Sequence, residues 1–135
     1  MSSEAHSNPS PEAEPQVLQS AAREMVRLFK DQFGRGPTRA RAEWAGPDTL
    51  AVILEDTLTP AERNLAEMGE DERLRQTRMF FQYASVKEFC EPIERLTGRK
   101  VRAFISGFDV AANGIAVEMF VLHPEGYEGP SRASL

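Results

Sequence analysis

Cysteine is almost absent from this 135-residue chain: Cys90 stands alone, so no intrachain disulfide can form. The fold must rest on an ordinary hydrophobic core, which a chain of this length can build. A reducing cytoplasm is the expected compartment, since no leader-like run follows Met1. Histidine is equally scarce. His6 lies near the start and His123 at the end of the last apolar segment, so neither has metal-ligand spacing and no metal or cofactor is expected. No apolar run approaches the ~20 residues that span a bilayer. An excess of base is missing too: 16 basic against 21 acidic residues leave a net charge of -5, which argues against a protein that coats nucleic acid.

Most of that negative charge belongs to the ends. Residues 1–15 carry three prolines, four serines and three glutamates without a large aliphatic residue after Met1, the composition of a disordered tail. Residues 124–135 are similar and are expected to trail flexibly from the fold. Glu4, Glu12, Glu14, Glu125 and Glu128 against Arg132 place -4 of the -5 in these tails, so the 16–123 domain carries -1.

Within the domain, Val17, Leu18, Ala21, Met25, Leu28, Phe29 and Phe33 recur at helical spacing up to Gly34. Two strands follow, Thr38 to Trp44 and Leu50 to Glu55, joined at Gly46-Pro47-Asp48. Thr59-Pro60-Ala61-Glu62 reads as a capping box opening a short helix. A helical pattern then runs from about Glu70 to Leu96, with apolar residues between Met79 and Phe89 on more than one stripe. Unbroken, that helix would be ~40 Å long, so a bend at Pro92 and burial of the second stripe in a homodimer are both expected. Lys100 to Phe108 and Ile115 to Leu122 form a last hairpin across Ala111-Ala112-Asn113-Gly114. On the final strand Ile115, Val117, Met119 and Val121 alternate with Ala116, Glu118, Phe120 and Leu122, so both faces are largely apolar.

Each half thus holds a helix, a Gly-Arg exit and a hairpin, with Leu50 to Glu55 aligned on Ile115 to Phe120. The expected fold is α+β: two pseudo-equivalent αββ units forming one four-stranded antiparallel sheet packed against helices.

Six basic residues sit at the two helix-to-strand connections, Arg35, Arg39 and Arg41 in the first and Arg99, Lys100 and Arg102 in the second. If the clusters share one end of the sheet, they form a site for a small anion such as a carboxylate, phosphate or bicarbonate. Arginines on a strand's solvent face and bases beside a helix C-terminus are the plainer explanation. Cys90, in an apolar stretch, reads as a small core residue, and no catalytic residue is nominated. Phe80, Phe81, Tyr83 and Phe89 read as core or dimer packing, because no base interleaves with them before Lys87. A small enzyme with a spatially assembled site, or a nucleic-acid module using the Arg clusters, is the alternative.

The run Gly34-Arg35-Gly36-Pro37, then Leu58-Thr59-Pro60-Ala61-Glu62, a long helix with Arg73 and Arg78, Leu96-Thr97-Gly98-Arg99-Lys100-Val101 and the closing Ile115 to Leu122 strand together resemble the MpsC-like family. The resemblance spans residues 16–123 and makes Gly34, Gly36, Pro37, Thr59, Pro60 and Glu62 its motif positions. It implies an accessory or regulatory protein associated with sodium translocation or membrane potential, with a link to bicarbonate supply and a membrane transport protein as partner.

Overall fold

A computed structural model describes residues 13–134. Helix α1 (Ala13–Phe33) begins three residues earlier than the sequence boundary, and the rest of the proposed N-terminal tail lies outside the described residues. Its inward stripe of Ala21, Met25, Leu28 and Phe29 is buried, and the helix stops where the Gly34 amide bonds Lys30 O at 2.9 Å with Gly34 at φ 81. Strands β1 (Arg39–Trp44) and β2 (Thr49–Glu55) pair antiparallel, Arg41 opposite Ile53 and Glu43 opposite Ala51.

Helix α2 (Pro60–Glu67) opens on the predicted capping box: Glu62 N donates to Thr59 Oγ1 at 3.2 Å, and Thr59 N donates to Glu62 Oε1 at 2.9 Å. Thr59→Ala is therefore expected to cost about 1 kcal/mol in urea unfolding. A midpoint and slope equal to wild type would show that the cap contributes nothing.

The second helical stretch departs from the sequence expectation. It is two helices, α3 (Asp71–Ala84) and α4 (Val86–Thr97), and the break falls at Ser85, not at Pro92. Ser85 has φ -112 and ψ 27, outside the helical range, and its hydroxyl accepts from Gln32 Nε2 of α1 at 2.7 Å. Pro92 is accommodated about two turns further on, inside α4, where the carbonyl losing its partner belongs to the exposed residue Glu88. The inward stripe of α3 is also unexpected. Leu74, Arg78 and Gln82 point in at i, i+4 and i+8, while Phe80, Phe81 and Tyr83 remain 70%, 47% and 40% exposed. Only Phe89, on α4, enters the core as expected.

Strands β3 (Val101–Asp109) and β4 (Ile115–Leu122) complete an antiparallel sheet in the order β1-β2-β4-β3. The turn between them uses positive φ at Ala112, Asn113 and Gly114, as the Asn-Gly pair predicts. At Gly114 a Cβ would meet Thr57 Oγ1 at 2.7 Å, so glycine is required there by space as well as by φ.

The core lies on one face of the sheet, where Leu50, Val52, Leu54, Phe104, Ala116 and Phe120 meet α1 and α4. The two-unit alignment does not carry over residue for residue. It matches the inward Leu50, Val52 and Leu54 with Ile115, Val117 and Met119, which point to the other face; a shift of one residue is needed to match faces.

The C-terminal segment, expected to trail, lies against the domain. Ser131 Oγ donates to Glu94 Oε2 at 2.5 Å, Lys100 Nζ donates to Gly129 O at 2.7 Å, and a short 3-10 turn, Arg132–Ser134, packs on α4 and β3.

Candidate functional site

The six basic residues proposed as an anion site do not converge. Arg39 begins β1 opposite the end of β2, whereas Val101 begins β3 opposite the end of β4. Because β2 and β4 run antiparallel and β1 and β3 are the two edge strands, the clusters occupy diagonally opposite corners of the sheet. Most are also engaged. Arg35 donates to Asp56 O at 2.6 Å and Leu58 O at 2.8 Å and pairs with the Asp56 carboxylate at 3.2 Å. At the other corner Arg99 donates to His123 O at 2.8 Å and Pro47 O at 3.0 Å and pairs with Asp48. Each arginine thus ties its own connection to the exit of the following hairpin. Lys100 holds the C-terminal segment, and Arg41 pairs with Glu43 at 2.8 Å and Glu55 at 3.8 Å. Arg39 and Arg102 stay exposed at opposite corners, so among the described residues the six bases form no continuous face.

Of these residues, Arg41 borders a concave surface, a cleft of about 890 Å³ between α1 and β1. Its floor is Leu18, Ala22, Val26, Ala40 and Ala42, with Arg23, Arg27 and Arg41 at its lip. The lip is largely charge-compensated, since Arg27 pairs with Glu24 and Asp31 and Arg41 with Glu43 and Glu55.

The densest chemistry lies elsewhere, beneath the sheet. Arg78 is fully buried, and its guanidinium grips Glu62 through two bonds, Nε to Oε2 at 2.6 Å and Nη2 to Oε1 at 2.7 Å. The same Nη2 donates to Thr57 O at 2.6 Å. Aromatic rings surround the cation, with the Phe33 centroid at 4.0 Å and that of Phe108 at 5.0 Å. Burial pushes the Glu62 carboxyl up, but the Arg78 bonds, the Thr59 amide and the Arg78 charge outweigh it and hold the carboxyl below its usual range. The motif residues Thr59, Pro60 and Glu62 thereby acquire a physical role: they start α2 and deliver a carboxylate to Arg78.

One turn along α3, buried Gln82 Nε2 donates to Ser106 Oγ of β3 and to Glu118 Oε2 of β4. Tyr83, partly exposed beside them, accepts from the Ser106 amide at 2.9 Å. Glu118 is fully buried, and burial pushes its carboxyl up to about 8 against the weaker opposing effects of Ser106, Gln82 and Arg78. Four polar atoms in this region have no partner among the described residues: Thr57 Oγ1, Arg78 Nη1, Gln82 Oε1 and Glu118 Oε1. A neutral Glu118 carboxyl has an O–H to donate, which the ionised form lacks, while its other oxygen goes on accepting from Gln82 Nε2. Reading the sequence missed this centre. Its one local signal is Glu118 itself, a charge on an otherwise apolar strand face.

The remaining candidates for nucleophilic chemistry are placed apart. Cys90 is buried in the core, with its thiol pushed up to about 12 by burial and the Glu94 charge. His123 stacks on Tyr127 with ring centroids 3.6 Å apart. Among the described residues no helix is long and apolar enough to cross a membrane.

Compared with known proteins, residues 14–124 match the family model described as Na+-translocating membrane potential-generating system (MpsC). No curated protein and no solved structure matches the chain.

Proposed function

The chain belongs to the MpsC family, and from that premise we propose that it serves a Na+-translocating, membrane potential-generating system as a non-catalytic accessory or regulatory component. It works from the cytoplasmic side, as a homodimer, by binding a membrane-embedded transport partner. The observation that carries this reading is the pairing of family membership with a described fold in which no helix is long and apolar enough to cross a membrane. The surface supports binding over chemistry: Phe80, Phe81, Tyr83 and Ile105 are exposed, while the Cys90 thiol is buried and held protonated. The small-anion role receives less support, because four of its six basic residues are engaged and the six are divided between two corners.

Deleting the gene in its host should reduce the Na+-dependent component of the membrane potential reported by a potentiometric dye, and supplying the chain in trans should restore it. The purified chain alone, in liposomes holding a Na+ gradient, should pass no Na+. Flux through those liposomes would overturn the accessory role, and an unchanged potential in the deletion strain would overturn the link to the system.

A further inference from the structure

Among the described residues, the face of the sheet opposite the helices is apolar and uncovered. Ala51 and Ile53 of β2, Val117, Met119 and Val121 of β4, and Ala103 and Ile105 of β3 all point to it, and none belongs to the core or packs against it. Ile105 is 50% exposed. An antiparallel sheet commonly turns a polar face to water, and an apolar one needs a cover.

The pairing register lays this face out as rows across the strands. One row reads Arg41, Ile53, Val117, Gly107, and the next reads Glu43, Ala51, Met119, Ile105. The two rows complement each other column by column. Arginine stands beside glutamate, isoleucine beside alanine, valine beside methionine, and glycine beside isoleucine. A two-fold axis running across the strands between these rows would lay each row of one copy on the other row of a second copy. Arg41 then meets Glu43, Ile53 meets Ala51, and Ile105 enters the gap at Gly107, where a Cβ would find nothing within 4 Å. The Arg41–Glu43 pairs, 2.8 Å within one chain, would meet head to tail as a square of alternating charge.

We propose that two copies of this chain pair through the bare face of the sheet, about a two-fold axis between the Arg41 and Glu43 rows. This rests on the homodimeric reading above and adds to it the interface and the axis; it does not depend on the Na+ role. Four strands at ~4.8 Å spacing and seven residues at ~3.4 Å rise give ~450 Å² of projected face per copy, so the interface is close to 1,000 Å² in total. That is the lower bound for specific association and points to micromolar affinity.

Sedimentation equilibrium on the full chain, from about 5 to 200 micromolar, should show a monomer–dimer equilibrium in this range. Arg41→Glu alone and Glu43→Arg alone should each weaken it at least about tenfold, since each places like charges together. The double reversal R41E/E43R should return it to within about threefold of wild type. Gly107→Phe, at a position with open space and an ordinary φ, should abolish the dimer while leaving the circular dichroism of the fold unchanged. A monomer at the highest concentration would overturn the homodimer and its interface together. A dimer unmoved by Gly107→Phe would overturn this interface and leave the homodimer standing, and single reversals without effect, or not rescued by the double, would overturn the axis.

Discussion

Replacing Arg78 with methionine is expected to destabilise the protein by about 3–5 kcal/mol, the range for removing one partner from a buried ion pair. Methionine fills much of the volume and keeps contact with Phe33 and Phe108, so lost packing explains little of the cost. The larger part falls on Glu62, whose two carboxylate oxygens both accept from the guanidinium. Thr57 O also loses a charged donor. Arg78→Lys should recover only part of the loss, because an ammonium keeps the charge but cannot span Glu62 and Thr57 as a planar fork. A double-mutant cycle on urea-unfolding free energies separates the contributions: Arg78→Met combined with Glu62→Gln should cost less than the sum of the singles by about 1–3 kcal/mol. Additive costs would mean that the pair is not coupled and that Arg78 acts mainly by filling space.

What could be read in advance was local. Thr59-Pro60-Ala61-Glu62 specifies a cap over four residues, and Asn113-Gly114 specifies a turn through the φ values those residues tolerate. Both are in place, as is the antiparallel sheet, whose strands declare themselves by alternation. The failures share one cause, contacts between residues distant in sequence. Arg78 finds Glu62 16 positions away, and Gln82 finds Ser106 and Glu118 24 and 36 positions away. Without those partners, nothing near Leu74, Arg78 and Gln82 marks them as the inward stripe of α3, and of the two settings expected for Phe80, Phe81 and Tyr83, core or dimer, the core is not where the fold puts them. Pro92 offered a plain breaker signal, yet the chain turns at Ser85, which has no special backbone chemistry and gains a tertiary bond from Gln32. The Arg clusters were equivalent in sequence but not adjacent in space, because an antiparallel order of two hairpins carries equivalent strand starts to opposite corners.

Glu118 supplies the second large effect, and it depends on pH. Its carboxyl is raised from 4.5 to about 8 in the folded chain, mainly by burial, so the folded state holds this proton more tightly than the unfolded state does. The associated stability is fully present below about 4.5 and declines as pH rises towards 8, by about 1.4 kcal/mol per unit within that window. Glu62 titrates in the opposite sense, its lowered carboxyl favouring the fold above the ordinary carboxylate range, so a single profile of the wild type would mix the two. Comparison with Glu118→Gln removes the mixture. Glutamine keeps the shape and both kinds of hydrogen-bonding atom opposite Gln82 but has no proton to lose. At pH 5 the two proteins should have similar unfolding free energies, and by pH 8.5 the variant should be the more stable by a few kcal/mol, on the order of three pH units' worth of linkage. Parallel profiles between pH 5 and 8.5 would show that Glu118 titrates as an ordinary carboxylate, and that water or a rearranged Arg78 reaches it beneath the sheet.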